Sequence, residues 1–252
     1  MEARRPGNRI DQLRFRIPIL VRALVGGGRA HALSLLSIGV PLAGCAGPFS
    51  TLEPNGPAAE RVATLWWVML GGSALISTLV AVLIVVAFVK RDSETRVSPK
   101  LWIGGFGLGF TSAVLMALLA YALVLGESTL PTPRDGTVAV AAEGRQWDWR
   151  FRQPGVSGEI ATEGVLNIPV GVPVDVHITT QDVIHSFWVP QLAGKMDAIP
   201  GKTNVLRIEA SLPGTYEGRC AEFCGIGHAG NVFRVVAHDA DGWAAFQRSE
   251  PR

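Results

Sequence analysis

Gly218-Arg-Cys-Ala-Glu-Phe-Cys-Gly-Ile-Gly-His-Ala-Gly-Asn231 places two thiols four residues apart, Cys220 and Cys224, and a histidine four further on, His228. Thiolates and imidazoles are soft-to-borderline donors that suit copper or zinc. Gly225 and Gly227 let the backbone turn tightly enough for all three donors to face one point. A second histidine, His185, lies about 35 residues upstream in Asp182-Val-Ile-His185-Ser-Phe-Trp-Val-Pro190. Structural zinc competes for such a set, although zinc fingers place their paired histidines after the cysteines. A Cys220–Cys224 disulfide is the remaining alternative, and spacing alone leaves it open.

The surroundings of this loop read as β-structure. From Gly136 onward, short runs rich in valine and isoleucine alternate with glycine and proline. Strand candidates are 137–142, 147–152, 164–168, 172–179, 203–210, 214–219 and 232–237. Turn signals fall at Gln153-Pro154-Gly155, Pro169-Val170-Gly171, Ile199-Pro200-Gly201 and Leu212-Pro213-Gly214. Short strands at this spacing imply a sandwich or barrel. Trp243 and Phe246, three apart, predict a short terminal helix over 241–247. Neither an internal repeat nor a low-complexity segment is present.

The N-terminal half has a different character. Of 252 residues, 48% are apolar and 17% charged, against about 25% charged in an average soluble domain. Residues 62–89 and 101–126 contain no Asp, Glu, Lys or Arg, and each exceeds the roughly 20 residues a helix needs to cross a bilayer. Trp66, Trp67 and Trp102 open these runs, as interface anchors do. The connection 90–100 carries Lys90, Arg91, Arg96 and Lys100. Its basic character puts it on the cytoplasmic side, with both ends of the helical hairpin outside. Residues 131–252 then form an extracytoplasmic domain on the inner (cytoplasmic) membrane of a bacterium. The net charge of +2 carries no basic excess of the kind nucleic-acid binding requires.

Residues 1–44 read as a leader: seven arginines within the first thirty residues, then an apolar stretch ending Leu42-Ala43-Gly44-Cys45. That ending resembles a bacterial lipoprotein box, which makes Cys45 the expected acylation site and 45–130 the membrane hairpin. The basic region is long for a signal: either the true start lies downstream of Met1, or residues 1–29 are an extension of another kind.

Three blocks together resemble subunit II of the haem-copper respiratory oxidases, the cytochrome c oxidase type. They are Asp182 to Gly201, Gly214 to His228, and Gln146-Trp147-Asp148-Trp149. The resemblance implies an α+β membrane protein, a two-helix transmembrane hairpin followed by a cupredoxin-like Greek-key β-domain. It implies a centre of two copper ions (CuA) bridged by Cys220 and Cys224, with His185 on one copper and His228 on the other. Glu222 would give its backbone carbonyl to the copper held by His228, while its carboxylate helps hold magnesium at the catalytic subunit. Trp147 would be the electron-entry ring, and Asp197 an acidic residue at the docking face or subunit interface. The family's weak methionine ligand is replaced by Asn231, a harder donor. The partners implied are a c-type cytochrome donor and oxidase subunits I and III, in a complex that reduces oxygen and translocates protons. The glutamate that many relatives carry before the second helix has no counterpart in Arg96 to Trp102. Two rival readings are a copper-free quinol-oxidase scaffold and a membrane-anchored copper carrier.

Overall fold

The computed structural model describes residues 46–89 and 98–249. The chain divides into two units, Met1–Cys45 and Ala46–Arg252. The expected leader 1–44, the expected acylation site Cys45 and most of the helix–helix loop lie outside the described residues.

Helix α1 spans Pro57–Val89. Its start lies five residues before the uncharged window. Pro57 is preorganised for the first helical position, and Glu60 in the first turn complements the helix dipole. A second helix covers Lys100–Glu127. It is π-wound over Lys100–Phe110 and α-helical as α2 over Thr111–Glu127. Both are long and apolar enough to cross a membrane. Their apolar side chains stand exposed on all sides, Leu75 and Ile103 among them, a pattern that suits hydrocarbon and not water. Arg61 Nη1 donates to the Ser128 carbonyl oxygen at 2.7 Å, joining the start of α1 to the end of α2. Just before α1, Asn55 N–H donates to Gln191 O at 2.7 Å and Asn55 O accepts from Ser211 N–H at 2.8 Å. Gly56 is required beside them, because a Cβ there would lie 2.2 Å from Glu209 O.

Among the described residues the C-terminal domain has ten strands: β1 Val138–Arg145, β2 Asp148–Gly155, β3 Gly158–Glu163, β4 Val165–Pro169, β5 Val174–Thr180, β6 His185–Trp188, β7 Lys195–Ala198, β8 Asn204–Ile208, β9 Gly214–Cys220 and β10 Val232–His238. They form two five-stranded sheets, ordered β3-β2-β1-β5-β8 and β4-β10-β9-β6-β7. The parallel pairs β1–β5 and β4–β10 arise because the chain crosses between sheets instead of running hairpin to hairpin. Alternating inward residues close the core: Val140, Trp149, Phe151, Leu166, Val176, Phe187, Phe233 and Val235 are all buried. Helix α3, Ala240–Gln247, is N-capped by Asp239, whose carboxylate accepts from Gly242 N–H.

Two sequence expectations are corrected. No turn forms at Gln153-Pro154-Gly155; β2 runs through all three residues. The β1 ladder ends at Ala141↔Arg152, so beyond it β2 pairs only with β3. A missing proline N–H is tolerated at such a sheet margin. Strands β3, β6 and β7 were absent from the candidates. Gly158–Glu163 and Lys195–Ala198 are polar edge strands, and β6 has four residues.

Candidate metal centre

The centre forms at one end of the sandwich, where β6 begins and β9 ends. His185 is the first residue of β6, Cys220 the last of β9, and the register pairs the next β6 residues with this end, Phe187 opposite Cys220. After β9 the chain turns through Ala221–Gly227 into a short 3₁₀ turn at His228–Gly230, then enters β10. That turn brings Cys224 and His228 back over Cys220.

The four donor side chains converge. Cys220 Sγ lies 3.8 Å from Cys224 Sγ and 3.8 Å from His185 Nδ1. Cys224 Sγ lies 3.6 Å from His228 Nδ1. Ligand atoms of His185, Cys220 and Cys224 all fall within 4.8 Å of one another, and all three residues are buried. The thiols are free, well beyond the roughly 2.05 Å of a disulfide. Glu222 presents its backbone carbonyl oxygen 3.1 Å from Cys220 Sγ. Burial pushes the Cys224 thiol above its ordinary range, so a metal ion entering the site must displace that proton. Two thiols, two ring nitrogens and a carbonyl brought together fit a soft, thiolate-preferring metal.

Asp182 orients His185, and the donor pattern alone does not reveal it. Its Oδ1 lies 2.8 Å from His185 Nε2, which places the proton on Nε2 and leaves Nδ1 bare toward the sulfurs. Burial raises the Asp182 carboxyl. Hydrogen bonds from His185, the Gln146 and Val183 N–H groups and Thr180 outweigh that effect and hold it at about 2. The sequence signal was its place three residues before His185.

Trp147 is half-exposed, and its indole Nε1–H donates to Cys224 O at 3.1 Å. Gln146 Nε2 reaches the same carbonyl at 2.8 Å. Trp149 is buried and packs edge-on to Phe187 with ring centres 5.7 Å apart. Glu222 and Asp197 stand on the surface on either side of Lys195, whose Nζ is 3.3 Å from Glu222 Oε2 and 3.1 Å from Asp197 Oδ1. Asn231 is fully buried beside the cysteines, with its amide nitrogen 3.8 Å from Cys224 Sγ. Met196 faces Phe187 across β7 and packs against the core. His177 is exposed, and His238 is held by Asn167 Oδ1 at 2.8 Å.

Fold and side chains define a membrane-anchored, cupredoxin-like domain that gathers two thiols and two imidazoles at one end. The profile of "Cytochrome C oxidase subunit II, periplasmic domain" matches residues 153–237, which include His185, both cysteines and His228. A cytochrome c oxidase subunit 2 of Alkalihalophilus pseudofirmus is 35% identical over 219 residues, 81% of this chain and 64% of that protein. The quinol oxidase subunit 2 of Bacillus subtilis is 31% identical over 235 residues, covering 86% of this chain and 72% of that one. The solved periplasmic domain of subunit II of a Bradyrhizobium japonicum cytochrome oxidase aligns at 26% identity and a TM-score of 0.43, over 46% of this chain and 94% of that one. The chain belongs to the subunit II family of the respiratory oxidases, the cytochrome c oxidase subunit II family.

Proposed function

We propose that the chain is the copper-bearing electron-entry subunit of an oxidase that takes electrons from a c-type cytochrome. The observation that carries this reading is the four-donor cluster of His185, Cys220, Cys224 and His228. A copper-free quinol-oxidase scaffold has no use for two free buried thiols beside two ring nitrogens. A copper carrier has no use for an indole bonded to a ligand residue.

When bound, copper held by His185, Cys220, Cys224 and His228 would supply one-electron exchange. The protein's part is to hold the donors still. His185 and Cys220 sit on neighbouring strands of one sheet, and Asp182 fixes the His185 ring. His228 and the Glu222 carbonyl would help hold the metal beside Cys224 and Cys220. Trp147 offers a route inward from the surface, through its hydrogen bond to Cys224 O. Phe223 and Ile226, 76% and 99% exposed, make an apolar rim on which a donor protein can dock. Glu222 and Asp197 face the interface with the catalytic subunits I and III, where Glu222 would share a magnesium ion. The oxygen chemistry and proton translocation belong to those subunits. The helices anchor the chain in the bacterial inner membrane with the sandwich outside. Cys45 is acylated after removal of 1–44, which an intact mass that retains those residues would refute.

The test is electron paramagnetic resonance of the full chain in detergent, loaded with copper ions. A delocalised mixed-valence pattern with two coppers per chain is expected, and Cys220→Ser should abolish it. A single-copper spectrum, or tight zinc in its place, overturns the reading.

A further inference from the structure

We propose that Asn231 positions and tunes Cys224 as a hydrogen-bond donor to its sulfur, and that it is not an oxygen ligand of the metal. The proposal rests on the copper reading above. Asn231 is fully buried. Its Nδ2 lies 3.2 Å from Arg145 O, 3.4 Å from His185 Nδ1 and 3.8 Å from Cys224 Sγ. All three neighbours are acceptors. Arg145 offers a carbonyl. His185 Nδ1 is bare, because Nε2 carries the proton toward Asp182. Cys224 offers a thiolate once a metal is bound. An N–H group satisfies this environment and an amide oxygen does not.

Turning the amide over makes matters worse. Oδ1 would then lie about where Nδ2 is, against the Arg145 carbonyl oxygen, two acceptors facing each other in a buried site. As oriented, the amide leaves one atom, Oδ1, buried without a partner. Turned over, it would lose its bond to Arg145 as well. With metal on His185 Nδ1 and Cys224 Sγ, one Nδ2 hydrogen serves Arg145 and the other is left for the Cys224 sulfur. Arg145 ends β1, immediately before the turn that carries Trp147, and its side chain is ion-paired with Glu143 at 2.7 Å. Asn231 therefore ties the Trp147 hairpin to a bridging sulfur.

The two roles predict opposite signs. An N–H···S bond withdraws charge from the thiolate and favours the reduced pair, so removing it lowers the potential. An oxygen ligand favours the oxidised metal, so removing it raises the potential. The experiment is a redox titration of the copper-loaded full chain, wild type against Asn231→Leu, followed by the near-infrared band. A fall is expected of about tenfold in the one-electron equilibrium, about 59 mV. A rise, or no change, overturns the proposal. Because Asn231→Leu can fail to fold or to load, pulsed resonance on the wild type in heavy water gives a second measurement. An exchangeable proton coupled to the copper–thiolate spin is expected in addition to those on the His185 and His228 rings, and the absence of any beyond the ring protons overturns the donor role. A wild type without any mixed-valence signal overturns the copper reading and this one together. A normal wild-type signal with the wrong sign overturns this one alone.

Discussion

Gly227→Ala isolates the Trp147 contact, because the glycine is needed for space and not for its backbone. Its φ of −84° and ψ of 5° are open to any residue. A Cβ built there lies 2.4 Å from Trp147 Cδ2 and 2.6 Å from Cγ. Carbon atoms in contact sit about 3.5–4.0 Å apart, so the indole must retreat by about 1.1–1.6 Å. The ring is 42% exposed and has room to move outward. Such a shift breaks the 3.1 Å bond from Nε1 to Cys224 O, at a net cost of about 0.5–1.5 kcal/mol. The carbonyl keeps its bond from Gln146, so no further penalty for an orphaned acceptor is expected. The variant should therefore lose about 1 kcal/mol in denaturant unfolding and keep its copper spectrum. Electron transfer from a reduced c-type cytochrome, followed by stopped flow, should slow. Trp147→Phe, which keeps a ring but lacks the N–H, should slow it too. If Gly227→Ala transfers electrons at the wild-type rate while its tryptophan emission shows that the ring has moved, the indole–Cys224 route is wrong.

Gly218→Ala should be the more damaging change, since its Cβ would lie 2.2 Å from Phe233 Cε2. Phe233 is buried and stacked on Phe187 at 4.8 Å, so it cannot retreat. Overpacking of this kind costs about 1–3 kcal/mol or more, read as a lower midpoint in denaturant. Asp182 predicts an acid dependence in the metal-free chain. Its folded value of about 2 lies below the ordinary 3.8 of an aspartate, so its stabilisation is present above about 4 and lost as pH falls toward 2. Its side chain is 34% exposed, and solvent screening limits the effect to about 1 kcal/mol. Asp182→Asn should flatten that part of the stability–pH curve, and an unchanged curve would refute the assignment.

The sequence by itself determined the class of each half of the chain. A membrane helix is recognised by local length and lack of charge, so 62–89 and 101–126 were legible to within a few residues, the exception being the start at Pro57. The β-character after Gly136 came from valine–isoleucine runs and turn residues, also local. The donors were legible because their chemistry belongs to the residue type. Other features were decided only by the tertiary structure. Strands β6 and β7 exist because β9 and each other supply their partners, and four residues of local propensity cannot signal that. Sheet register brings His185 to Cys220 across 35 residues. The Trp147 bond to Cys224 O and the Asp182 bond to His185 likewise depend on how separate turns meet at one end of the sandwich. Asn231 shows the division within one residue. The sequence placed an amide three residues after His228, but which end of it faces the sulfurs is set by the Arg145 carbonyl, 86 residues away along the chain.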